Sequence, residues 1–271
     1  MGFTTVNFSK VLPPNVVNIK QILDFASRKG FAFIEIRDPN AKLTLSECED
    51  LTTYAKQKGV EVIYAIASGL LNPNYWETFS RAIANASIFK GPKIVRTGAS
   101  GVEFLNDEGK QYWTATEFAM IVKNANKAAN IAKMFGLQLL IENGLEGLQG
   151  DGETTFGTTE LFGSNGVNEN VGLQLDVANF FCTSRVPSKP GDVNTFVANN
   201  VSKIGYTHLK TSKDHKPQQV LDGNELPFET FFNFLQKQDK NYMAIELSQS
   251  TSLADVYENH IQSIDYLKKY Y

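Results

Sequence analysis

Residues 137–143 read LQLLIEN, an apolar run broken only by Gln138 that ends on the carboxylate of Glu142. A run this short, bounded upstream by Gly136, suits a strand buried on both faces. The same form recurs three times downstream. VGLQLD (171–176) ends on Asp176, KIGYTHLK (203–210) carries His208, and NYMAIEL (241–247) carries Glu246. Parallel strands of this kind would bring three carboxylates and one imidazole to a single face.

Working outward from these four, short strand-like runs alternate with longer stretches whose apolar residues recur at helical spacing. FAFIEI (31–36), VEVIYAI (60–66) and KIVRT (93–97) supply three further strands, and TTVNF (4–8) a weak first one. The spacing predicts helices over Val16–Lys29, from Ser46 with Thr44 or Ser46 as N-cap, over Asn74–Phe89, Thr114–Phe135, Val193–Asn200, Pro227–Gln238 and Leu253–Lys269. A shorter helix follows the glycine-rich GLEGLQGDGETTFG. Eight such units in 271 residues fit the roughly 250 residues of a closed barrel. The expected fold is therefore α/β, a (β/α)8 TIM barrel, with residues 1–271 as a single domain. A doubly wound open sheet is disfavoured because VNFSKVLPPN, after the first strand, lacks the glycine-rich dinucleotide turn.

In a barrel, residues at the C-terminal strand ends line the mouth. Glu142, Asp176, His208 and Glu246 would then form a mixed oxygen and nitrogen donor set suited to Mn²⁺, Mg²⁺ or Co²⁺, with Zn²⁺ also accommodated. Capping or salt bridging is the alternative for any one of them, but four on four consecutive strands favour a shared metal site. Lys210 follows His208 by two residues and shares its face, where it would meet a substrate oxyanion or pair with Glu142 or Asp176. Glu35 and Arg96 end the second and fourth strands and would bind substrate hydroxyls, or each other's strands as ion pairs. Asn179 would bond substrate or cap the next turn. His215 and His260 are expected to be solvent-exposed. Among the aromatic residues Phe8, Tyr64, Trp76, Trp113, Phe180 and Phe181, only the loop residues Phe180 and Phe181 stand out as walls of a sugar pocket. GASG (98–101) reads as a turn more readily than as a phosphate cradle.

Composition excludes several classes. A net charge of −3 without a lysine or arginine cluster argues against nucleic acid and anionic membrane. The two cysteines, Cys48 and Cys182, are read as reduced thiols. With no long apolar span and no signal-like start, the expectation is a soluble, cytoplasmic protein, a removed leader peptide being the alternative. No surface stripe assigns an oligomeric state, although homo-oligomers are common among such barrels.

The order IEIR, IEN, LDVAN, THLK, VLDGNELPFETFF and MAIEL resembles the xylose isomerase-like superfamily of sugar phosphate isomerases and epimerases. The resemblance implies one divalent ion held by Glu142, Asp176, His208 and Glu246. It implies that Glu142 and Glu246 move the proton beside a carbonyl through an enediolate, and that the partner is a small carbohydrate. A metal-dependent dehydratase of a related keto-polyol and a non-catalytic carbohydrate-binding barrel are the alternatives; endonuclease chemistry would want more histidines. The chain departs from many relatives at Asn179, where they carry histidine, and at Thr211, where they carry aspartate after His-x-Lys.

Overall fold

The computed structural model describes residues 1–222, 228–235 and 242–270. Eight parallel strands close into one barrel: β1 (Gly2–Thr4), β2 (Phe33–Arg37), β3 (Glu61–Gly69), β4 (Ile94–Gly98), β5 (Gln138–Glu142), β6 (Val171–Asp176), β7 (Ile204–Leu209) and β8 (Tyr242–Ile245). They pair in chain order, and β1 closes the ring against β8. Helices follow the strands and wrap the outside. Those after β2 and before β5 begin at Thr44 and Thr114, where each threonine accepts from the amide three residues on and a glutamate there returns to the cap's own amide. Gly30, Gly59 and Gly136 sit at positive φ where helices end.

Strand alternation divides the barrel interior into layers. Phe33, Ile63, Ile94, Leu140, Tyr206 and Ala244 form a separate apolar cluster. Two residues further along the same strands stand Glu35, Arg96, Glu142, His208 and Glu246. The apolar layer is thus a floor, and the charged layer above it opens at the strands' C-terminal ends.

Several expectations need correction. The first strand is Gly2–Thr4, and Thr5–Phe8 is one turn of 3-10 helix, because the Thr4 side chain accepts from Val6 N and ends the strand. His260 is fully buried, since the helix Leu253–Leu267 turns Val256, His260, Ser263 and Leu267 to the core. Phe180 and Phe181 lie in a short π-helical turn, Asn179–Thr183, and are buried; Phe180 meets the Phe196 ring edge-on at 5.5 Å. They are core residues. His215 is exposed, as expected. The helix expected over Pro227–Gln238 runs through Phe228–Leu235, while positions 227 and 236–238, like Asn241 and 223–226 of the preceding loop, lie outside the described residues. At GASG, a Cβ on Gly69 would stand 1.2 Å from the Ser100 carbonyl oxygen, so glycine allows this loop to press against the end of β3. Among the described residues no helix is long and apolar enough to cross a membrane.

Candidate metal centre

Register brings the predicted residues together. Asp176 lies directly beside His208 across β6 and β7, His208 beside Ala244 across β7 and β8, and Glu142 beside Gln174 across β5 and β6. Glu142, Asp176, His208 and Glu246 each offer one ligand atom, and these atoms all lie within 4.8 Å of one another. The group could hold a metal ion. His208 Nδ1 is 3.1 Å from Glu142 Oε1, 3.0 Å from Glu246 Oε2 and 3.9 Å from Asp176 Oδ2.

The other ring nitrogen, Nε2, is 3.0 Å from Glu35 Oε2. Glu35 also accepts from Thr4 Oγ1 at 2.9 Å and from Arg37 Nε at 3.1 Å. Burial works against ionisation of Glu35, yet Arg37 and His208 hold its carboxyl well below the usual range. A carboxylate only accepts, so His208 presents Nε2–H to Glu35 and turns Nδ1 toward the three carboxylates. By the same logic Glu142 and Glu246 favour a proton on Nδ1 as well, and an ion held there would take the place of that proton while Glu35 keeps the one on Nε2. The Glu35 side chain is fully buried beneath Arg37 and His208.

Arg96 is likewise buried: Nε donates to Gln174 Oε1 (2.9 Å), Nη1 to the Ile66 carbonyl (2.7 Å), and Nη2 pairs with Glu142. Burial and the nearby Arg37 charge bring its pKa down to about 10. Lys210 Nζ reaches Glu246 Oε1 and Asn179 Oδ1, both at 3.0 Å, and Asp176 Oδ2 at 3.5 Å. Its pKa is raised because Asp176 and Glu246 outweigh burial. Asn179 also gives its side-chain nitrogen to the Asn143 carbonyl and its backbone N–H to Asp176 Oδ1.

The carboxyls differ in electrostatics. Burial pushes Asp176 up even though Lys210 pulls it down. Glu246 falls well below the carboxylate range because Lys210, His208 and Arg37 together overcome burial. For His208, burial is overridden by Glu35 and Glu246, and the imidazole rises above its ordinary value. Lys210, Arg37 and Arg96 set positive charge beside these carboxylates, and the donor set of oxygens with one imidazole is of a kind that could hold a metal ion as well.

Three contributors went unread in the sequence. Arg37 Nη2 bridges Glu35 and Glu246 at 3.0 and 3.1 Å. Gln174 Nε2 stands 3.0 Å from both ring nitrogens of His208 and 3.2 Å from Glu142 Oε1. Asn143 bonds the backbone of Asp176 at both its N–H and C=O, each at 2.8 Å. The available signal was alternation, since Arg37 follows Glu35 by two and Gln174 precedes Asp176 by two.

Fold and site together describe a (β/α)8 barrel whose mouth gathers a carboxylate and histidine quartet. The chain belongs to the xylose isomerase-like TIM barrel family, whose model matches residues 23–270. Among solved structures it is similar to a xylose isomerase-like TIM barrel protein from Mycobacterium smegmatis in complex with magnesium, at 18% identity, 100% and 97% coverage of the two chains and a TM-score of 0.72. It is similar to an L-ribulose 3-epimerase at 16% identity, 99% and 93% coverage and TM-score 0.73. A D-psicose 3-epimerase with D-tagatose from Clostridium cellulolyticum H10 matches at 11% identity, 99% and 98% coverage and TM-score 0.65. At these identities the likeness is one of fold. No curated protein matches in sequence.

Proposed function

We propose that this protein is a divalent-metal-dependent isomerase or epimerase acting on a sugar, keto-sugar or polyol, with Glu142 and Glu246 exchanging the proton on a carbon beside a carbonyl. The observation that carries the reading is a division within the quartet. The side chains of Asp176 and His208 are 0% exposed, whereas those of Glu142 and Glu246 are 14% and 13% exposed. On this reading the buried pair serves to hold the ion, and the two part-exposed glutamates meet the substrate.

When bound, the ion would polarise the substrate carbonyl and its neighbouring hydroxyl. Glu142, Asp176, His208 and Glu246 would hold it. One glutamate takes the proton from the substrate carbon, leaving an enediolate, and the other returns a proton. Lys210 and Arg37, with side chains 11% and 13% exposed, would stabilise negative charge on the substrate oxygens and keep Glu246 ionised. Asn179 holds Lys210 in place. The substrate is a small carbohydrate, in keeping with the epimerases among the structural neighbours.

The test is proton exchange. With Mn²⁺ in deuterated water, NMR of a panel of pentuloses and ketohexoses should find deuterium at the carbon next to the carbonyl for at least one sugar. Glu142→Gln and Glu246→Gln should each abolish it, and His215→Ala should leave it. Exchange that survives both glutamine variants would remove the two glutamates from the chemistry. Water loss with an absorbing conjugated product would make the reaction a dehydration instead.

A further inference from the structure

Asn7 and His260 lie outside the quartet but are tied to it through backbone. Asn7 is 2% exposed and His260 0%. The strand β1 ends at Thr4 and, among the described residues, pairs with β8 through Gly2 beside Ala244 and Phe3 beside Ile245. Beyond that point the Asn7 side chain takes over the ladder. Its Nδ2 donates to the Ile245 carbonyl at 3.0 Å, and its Oδ1 accepts from Leu247 N at 3.0 Å. The two bonds straddle Glu246, whose own amide donates to the Leu209 carbonyl at 2.9 Å on the other side.

His260 decides which way the Asn7 carboxamide faces. Its Nδ1 lies 2.6 Å from the Val256 carbonyl, which can only accept, so Nδ1 carries the proton. Nε2 is therefore an acceptor, and it stands 2.9 Å from Asn7 Nδ2. Both amide hydrogens of Asn7 are thereby assigned, one to His260 and one to Ile245. A flipped carboxamide would set oxygen against both acceptors and lose the Leu247 bond. The rings of Phe3, Phe8, Phe25 and Phe31 surround His260 at centroid distances of 4.9, 5.1, 5.9 and 6.3 Å and cage it.

A related device stands at the end of β6, where the Asn143 carboxamide grips the N–H and C=O of Asp176 itself rather than those of its neighbours. We propose that Asn7, locked by His260, is a positioning residue that fixes Glu246 in the quartet, as Asn143 fixes Asp176. The proposal rests on the reading of Glu246 as a metal ligand made above.

The test compares wild type, His260→Phe, His260→Gln, Asn7→Leu and Glu246→Gln in the full chain. Two quantities are measured: Mn²⁺ affinity by chelator competition and amide hydrogen exchange at Leu247. His260→Phe keeps a ring in the cage and removes the acceptor; it should stay folded, bind Mn²⁺ about tenfold more weakly and exchange Leu247 faster. His260→Gln, which restores an acceptor at similar reach, should recover part of both. Unchanged Leu247 exchange in His260→Phe and Asn7→Leu would overturn the proposal. So would faster exchange with wild-type Mn²⁺ affinity, since the clamp would then serve the fold alone. A wild type that takes up no Mn²⁺, or a Glu246→Gln variant that binds it unchanged, defeats the metal reading instead, and Leu247 exchange still decides the clamp.

Discussion

The two nitrogens of His208 have different surroundings, and the proposed role of the residue as a ligand rests on that difference. Nε2 faces the sealed carboxylate of Glu35, and Nδ1 faces the quartet. Replacing Glu35 by glutamine keeps the volume but lets the amide oxygen or nitrogen face the ring, so the tautomer is no longer imposed. Mn²⁺ affinity should fall about 10- to 100-fold in Glu35→Gln, measured by calorimetry, with the fold intact by circular dichroism. Unaltered affinity would leave Glu35 as packing. The four quartet residues were legible because each is a metal-binding type at the end of an apolar run. Arg37 and Gln174 were not, because a polar residue inside a strand gives no sign of its partner until neighbouring strands are in register.

At the scale of the element, the last helix shows what periodicity hides. His260 sits between Asn259 and Ile261, and the sequence assigns it to the wet face; the aromatic residues that bury it come from β1, its following turn and the helix Val16–Lys29 with its end, more than two hundred residues away. The first strand was misread for a related reason: Asn7 looks like a strand residue until its side chain is seen replacing the strand. Burial lowers the His260 pKa to about 4. Below the ordinary histidine value the unfolded chain takes up a proton that the folded chain refuses. Stability from this residue is therefore full above about pH 6.5 and lost as pH falls toward about 4, by about 3 kcal/mol in all. Denaturant titrations across that range should show a slope in wild type that is shallower in His260→Phe. Parallel slopes would mean that His260 does not titrate with folding.

For the whole molecule, the barrel interior separates stability from chemistry by depth. The floor of Phe33, Ile63, Ile94, Leu140, Tyr206 and Ala244 holds the strands together, and the charged layer above it carries the candidate metal site. Leu140→Ala, two residues below Glu142, should cost about 2–5 kcal/mol of unfolding free energy while the folded fraction binds Mn²⁺ as wild type does. The eight-unit rhythm behind this arrangement was readable because strands covered on both faces leave continuous apolar runs. The strand ends, the Asn clamps and the inward turn of His260 were not, being set by contacts far apart in sequence. The metal content of the purified protein after incubation with Mn²⁺, alongside His208→Ala and Asp176→Ala, tests the quartet most directly. About one ion per chain in wild type and none in either variant is the predicted result. Equal Mn²⁺ in all three proteins, or none in wild type, would contradict it.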